Sequence, residues 1–306
     1  LYIHIPFCAK KCPYCHFYKE LWSKEAEHRF VAAIRDEMSF YHQRFGRVLL
    51  NTIFIGGGTP NLLQKGSLSL LFEGLREHFQ WTDGIEVTME MNPGLSSQKK
   101  FASFLELGVN RASLGFQSFN DGELQFLGRD HTAAQSDKSL MALKNAGFQN
   151  INGDLIFGMK GSSLDSLSHS LDRLLAHDPQ HISTYNLTVE PGTPFKRRQS
   201  VKLDDQAEHD QFQLIIDRLT SAGYDHYEVS NFAKPGYACQ HNLSYWDLSP
   251  YIGLGPGAHS FFNGGRYHQA RDLSKYVSNP IPRVFRQKTF PTSSNEELMV
   301  DYLLCQ

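Results

Sequence analysis

Ile5-Pro6-Phe7-Cys8-Ala9-Lys10-Lys11-Cys12-Pro13-Tyr14-Cys15 places three cysteines at C-x3-C-x2-C spacing, directly after an apolar, β-leaning opening over residues 1–5. Three thiolates this close can hold three irons of a [4Fe–4S] cube and leave the fourth iron open to a small molecule. Two plainer readings compete. A structural zinc site wants four protein ligands, usually from C-x2-C pairs. His16 could be the fourth, but it directly follows Cys15 and would strain a tetrahedron. A disulfide framework wants an even count and a secreted setting. The chain has five cysteines, Cys8, Cys12, Cys15, Cys239 and Cys305. With three in a cluster, the other two cannot build such a framework, and a reducing, cytoplasmic setting is expected.

Bulk composition narrows the function classes. The 306 residues are 41% hydrophobic and 20% charged, with a formal net charge of −2. That balance gives no whole-chain argument for a nucleic acid partner or an anionic membrane surface. No apolar run approaches the length of a transmembrane segment. The length suits one large domain, or one domain with an extension.

Outward from the cysteine loop, strand-like and helix-like segments alternate. Phe30, Ile34, Met38 and Tyr41 recur at helical spacing. Residues 52–55 read as a short buried strand ending in Gly56-Gly57-Gly58, and Leu68, Leu71, Phe72, Leu75 and Phe79 mark the next helix. Strands follow at residues 85–91, 112–116, 151–157 and 181–189. Helical sequence lies between them, including one stretch that reaches Gly147 after the fourth strand. Six β-then-α units in the first 222 residues imply parallel strands with helical crossovers. The count alone permits a doubly wound sheet as well as a partial barrel. After Gly223 the alternation stops, and a tail rich in Gly, Pro, Tyr and His follows.

In a parallel β/α barrel, the loops after the strand C-termini carry the chemistry. Here Gly56-Gly57-Gly58-Thr59-Pro60 follows the second strand, and Glu90 with Asn92-Pro93 ends the third. Gln117 ends the fourth, Arg129 follows in Leu127-Gly128-Arg129-Asp130-His131, and Asp154 lies in the fifth. Any one of these alone reads as a surface charge, a cap or a tight turn.

The cysteine loop, with Tyr14 just before its third cysteine, resembles that of the radical S-adenosylmethionine (SAM) superfamily. That resemblance implies a [4Fe–4S] cluster on Cys8, Cys12 and Cys15 whose open iron binds SAM. It tips the fold towards an α/β partial (β/α)6 barrel over residues 1–222, with a smaller C-terminal extension over residues 223–306. The turn Gly57-Gly58-Thr59 then resembles the one that holds the SAM amino group. Carboxylates suit ribose hydroxyls and an amino group, and arginine forks onto a carboxylate.

Tyr2-Ile3-His4-Ile5-Pro6-Phe7-Cys8, GGGTP, LGFQSF, LGRDH and GDLIFG together resemble one branch of that superfamily. It holds the oxygen-independent coproporphyrinogen III oxidases and their heme-chaperone relatives. The likeness implies that Tyr2 and His4 lie beside the cluster. It also implies that Glu90, Gln117, Arg129, Asp154, Tyr185 and Thr188 contact SAM, the last two from the sixth strand. Such oxidases carry another cysteine two residues after the third cluster cysteine, where this chain has Phe17. His241-Asn242-Leu243-Ser244-Tyr245-Trp246 resembles the HNxxYW signature of the heme-chaperone group, and the segment from Gly253 to His259 matches it too. Members of that group usually continue beyond this point. Glu296-Glu297-Leu298-Met299 reads as the start of such a region, with Cys305 as a helix core residue.

Two functions follow from the resemblance. In one, the protein binds heme and delivers it to an acceptor, and no catalytic residue is assigned. Heme iron wants an axial imidazole or thiolate; His241 and His259 are the candidates, with Tyr245 and Trp246 to pack on the porphyrin. The bland reading of His241 is a hydrogen-bonded residue that fixes the tail. In the other, SAM cleavage drives oxidative decarboxylation of coproporphyrinogen III, with Arg197, Arg198, Arg266 and Arg271 available to its propionates. Phe17 and the HNxxYW string favour the first.

Overall fold

The computed structural model describes residues 1–198 and 201–286. The chain forms two compact units. The first holds residues 1–9, 18–89 and the described residues from Gln240 on; the second holds residues 10–17 and 90–239.

The first unit opens with β1 (Tyr2–Ile5), α1 (Lys24–Phe45), β2 (Leu49–Gly57), α2 (Lys65–His78) and β3 (Gln80–Met91). The apolar stripe drives α1, because Phe30, Ile34, Met38 and Tyr41 are all fully buried. Ser23 starts the helix by accepting from the Ala26 N–H. Parallel pairing joins β1 to β2 and β2 to β3. Both later strands begin earlier than their apolar cores indicate, because exposed Leu49 and Gln80 also pair.

The second unit contains α3 (Gln98–Leu107), β4 (Arg111–Gln117), α4 (Asp121–Phe126), α5 (Ala133–Ala146), β5 (Asn150–Phe157), α6 (Leu164–Leu175), β6 (His181–Asn186), α7 (Asp205–Ser221), β7 (Asp225–Glu228) and β8 (Asn231–Ala233). β4, β5 and β6 pair in parallel, and β8 and β7 follow antiparallel.

Two expectations change here. The helical stretch after β4 is two helices. Asn120 caps the first and Thr132, with Gln135, makes a capping box for the second. Gly128, at φ +69°, turns the chain between them. The sixth strand ends at Asn186, so Thr188 lies beyond it. The Thr188 hydroxyl turns back on the Asn186 carbonyl at 3.3 Å, and a turn with Gly192 at φ +84° follows.

The tail beyond Gly223 divides between the units. Its β7–β8 hairpin extends the second. α8 (Gln240–Trp246), β9 (Gly253–Leu254), β10 (His259–Phe262), β11 (Gly265–His268) and α9 (Leu273–Ser278) belong to the first. There β9 pairs in parallel with β1, on the side opposite β2. Glu296–Met299 and Cys305 lie outside the described residues.

Candidate functional site

In the first unit, β1 delivers the chain to a buried Phe7-Cys8 step, which pairs with Glu20–Leu21. The glycine turn closes on this step. The Gly58 N–H donates to the Ile5 carbonyl at 2.7 Å and the Thr59 N–H to the Phe7 carbonyl at 2.7 Å. A Cβ on Gly58 would stand 2.6 Å from the Phe7 oxygen, and one on Gly57 would stand 2.6 Å from the His4 ring. Part of the glycine requirement therefore comes from the protein's own backbone, not from a ligand alone. The Thr59 hydroxyl donates to the Cys8 sulfur at 3.6 Å.

His4 is held from both sides. Its Nε2–H donates to the Tyr18 carbonyl at 2.8 Å, so its Nδ1 accepts from the Tyr2 hydroxyl at 3.0 Å. Burial lowers its pKa to about 4, which keeps the ring neutral near pH 7.

The other two cysteines of the loop belong to the second unit. Tyr14, between them, packs on an apolar cluster that includes Leu127, Ile156 and Phe195. The Phe195 N–H donates to the Pro13 carbonyl at 3.1 Å. Gly128 brings its backbone so close that a Cβ would meet the Pro13 ring at 2.7 Å.

Arg129, carried by the break between α4 and α5, serves this segment. It donates to the Asn92 side-chain oxygen at 2.8 Å and the Gly115 carbonyl at 2.9 Å. It also approaches the Tyr14 hydroxyl at 3.5 Å and the Cys12 sulfur at 3.8 Å. Burial works against its charge, but Tyr14, Cys12 and Asp130 outweigh it and raise its pKa. Gly115 makes the convergence possible, since a Cβ there would meet Gln117 at 2.6 Å and Arg129 at 3.5 Å. Gln117 itself sits at φ +69°, a conformation uncommon for a residue with a side chain. Asn92 was visible in the sequence only as part of Asn-Pro; its role as the arginine's acceptor needed the fold.

Asp154 faces β4 and β6 from the middle of β5. It accepts from the Asn152 amide at 2.7 Å and lies 3.4 Å from the Ser113 hydroxyl. Burial raises its pKa against these bonds and the Arg111 charge. Tyr185, two residues after Ser183 on β6, is 43% exposed, so its ring can be reached by a ligand.

The donor set fits an iron–sulfur cluster. Cys8, Cys12 and Cys15 form no disulfide among the described residues. Hydrogen-bond donors stand beside Cys8 and Cys12, and the Arg129 Nε is buried with no hydrogen-bond partner among the described residues. No three His, Cys, Asp or Glu side chains among those residues gather as ligands of a single ion. A cube, which takes one thiolate per iron, does not require such a group.

The HNxxYW segment is α8 in the first unit. His241 is buried with both ring nitrogens engaged, one with the Thr52 hydroxyl at 2.8 Å and the other with the Tyr245 hydroxyl at 2.9 Å. Its ring stacks on Phe54 at 5.2 Å. Glu86 accepts from the backbone N–H groups of Gln240 and His241, both at 3.1 Å. A cavity of about 350 Å³ lies beside the helix, lined in part by Thr52, His241, Ser244 and Tyr251. His259 is exposed on the β10–β11 hairpin and stacks on His268, with ring centroids 5.2 Å apart.

The radical SAM superfamily matches residues 2–174. The heme chaperone HemW of Escherichia coli (strain K12) is 41% identical over 302 residues, which cover 97% of this chain and 78% of that protein. The heme chaperone HemW of Haemophilus influenzae is 39% identical over 264 residues, 85% of this chain and 69% of that protein. Among solved structures, E. coli HemN, a coproporphyrinogen III oxidase described as a radical SAM enzyme, superposes with a TM-score of 0.85. It covers 99% of this chain and 75% of that one at 24% identity, and it shows the fold alone. The fold is α/β, a partial (β/α)6 barrel, as the cysteine loop led us to expect.

Proposed function

The chain belongs to the radical SAM superfamily and, within it, to the HemW family, and from that premise we propose that it is a heme chaperone, binding heme and passing it to an acceptor protein. The observation that carries this is the 41% identity with a HemW over 97% of the chain. Phe17, 65% exposed, occupies the position where the oxidase branch has its additional cysteine.

In this reading Cys8, Cys12 and Cys15 hold a [4Fe–4S] cluster, and SAM is held by Gly57, Gly58, Thr59, Glu90, Gln117, Arg129, Asp154, Tyr185 and Thr188, with Tyr2 and His4 nearby. Cluster and SAM together supply one-electron redox chemistry when bound. The protein's own groups do the positioning. Thr59 and Arg129 direct hydrogen bonds at two of the sulfurs, which makes a reduced, more negative cluster easier to hold. His4, neutral and fixed, adds no charge of its own.

For heme, we favour the exposed His259 over His241 as the axial imidazole. Iron at His241 would have to displace a hydrogen bond from Thr52 or Tyr245. No helix among the described residues is long and apolar enough to cross a membrane. Cysteines that form no disulfide among the described residues fit a reducing cytoplasm, where we place the protein.

The test is anaerobic. Protein reconstituted to about four irons per chain is incubated with coproporphyrinogen III, SAM and a reductant. The chaperone reading expects no steady formation of protoporphyrinogen; multi-turnover formation would overturn it and make the chain an oxidase.

A further inference from the structure

In the second unit, a run of polar side chains crosses three strands and ends on Asp154; Asn152 and His181 in its middle are buried, and Tyr227 and Asp154 at its ends are half-buried. The Asn152 amide nitrogen lies 2.7 Å from the Asp154 carboxylate and 2.8 Å from the Ser113 hydroxyl. The Asn152 amide oxygen lies 2.6 Å from His181 Nδ1 and 3.1 Å from the Ser183 hydroxyl. His181 Nε2 lies 2.8 Å from the Tyr227 hydroxyl, which also accepts from the Cys239 N–H at 3.3 Å. The strand register enforces the order, since β5 and β6 place Asn152 opposite His181 and Asp154 opposite Ser183.

The chain has one direction. A carboxylate can only accept, so the nitrogen of Asn152 must face Asp154. Its oxygen then faces His181, and that oxygen can only accept, so the proton is on Nδ1. Nε2 must therefore accept, and Tyr227 donates to it. Burial and the Arg111 charge keep His181 neutral, as this arrangement requires. Each link follows from the one before it, from the carboxylate to the tyrosine.

We propose that Tyr227 and His181 are positioning residues for Asp154, holding Asn152 in the orientation that aims and hydrogen-bonds the carboxylate for SAM. This rests on Asp154 being a SAM contact. The alternative is that these residues form a polar core layer with no bearing on the ligand. Tyr224 provides the comparison. It is a buried tyrosine of the same unit, and its hydroxyl donates to the Pro179 carbonyl at 2.5 Å, outside the chain.

The experiment is a double-mutant cycle on the anaerobically reconstituted protein. SAM affinity and the electron paramagnetic resonance signal of the reduced cluster with SAM are measured for wild type, Tyr227→Phe, Asp154→Asn, the double variant and Tyr224→Phe. Tyr227→Phe should weaken SAM binding roughly three- to tenfold, the effect of one hydrogen bond in a network, and alter the SAM-induced signal. In the Asp154→Asn background the same change should have no further effect. Tyr224→Phe should bind SAM as wild type does. Equal loss in Tyr227→Phe and Tyr224→Phe, equal loss with and without Asp154, or no loss at all would each overturn the positioning role while leaving the SAM site in place. If Asp154→Asn binds SAM as wild type does, the underlying contact is wrong and the inference falls with it.

Discussion

At the scale of single residues, the geometry around the cysteine loop is set by close approach. Gly57 combines φ +104° with a Cβ position 2.6 Å from the His4 ring, whereas Gly46 has φ +73° and open space around it. Gly57→Ala should therefore cost roughly 2–4 kcal/mol, strain plus overpacking, and Gly46→Ala roughly 1 kcal/mol, strain alone. Denaturant unfolding of both variants checks this; equal costs would mean that the His4 contact relaxes freely. The two histidine candidates separate as sharply. His259→Ala should weaken heme binding and change its absorption spectrum. His241→Ala should lower stability through the lost Thr52 and Tyr245 bonds with heme affinity little changed. Loss of heme by His241→Ala alone, in folded protein, would reverse the assignment.

At the scale of elements, α1 is tied to the tail of its own unit by one buried carboxylate. Glu37 accepts from the Gly255 N–H at 3.0 Å, the Gln269 amide at 2.6 Å and the Tyr276 hydroxyl at 2.6 Å. Burial nevertheless pushes its pKa up to about 7. The folded value lies above the unfolded value of about 4.3, so the folded state binds more protons between the two. The stability linked to this proton is fully present below the unfolded pKa and is lost as pH rises through about 7. The change is on the order of 3 kcal/mol. The buried histidines work in the opposite sense, since His4 has its pKa lowered to about 4, so the readout is the difference in unfolding free energy between wild type and Glu37→Gln, which should fall from about pH 4 to about pH 7. A difference that stays flat or rises over this range would contradict the account. None of this was legible in the sequence, where Glu37 is one charge among several on an amphipathic helix. The boundaries of β2 and β3 were missed for a related reason. Periodicity marks the buried part of a strand, whereas pairing extends into exposed residues such as Leu49. The caps at Asn120 and Thr132 could have been read, and they would have shown the break that carries Arg129.

At the scale of the whole molecule, the β/α alternation and the cysteine spacing were enough for the fold class, because both are local patterns. The partners of those residues were not legible. That Asn92 receives Arg129, or that Asn152, His181 and Tyr227 line up on Asp154, depends on strand register, which polar residues in a buried strand do not announce. The HNxxYW string was visible as a motif, but only the packing shows that its histidine is already engaged by Thr52 and Tyr245. The central claim concerns what the protein carries, and a heme titration of the anaerobically reconstituted wild-type chain, followed by absorption, tests it most directly. The account predicts saturable binding at a fixed heme-to-protein ratio, with a spectrum of histidine-ligated heme. A linear, unsaturating increase indistinguishable from heme in buffer would contradict it.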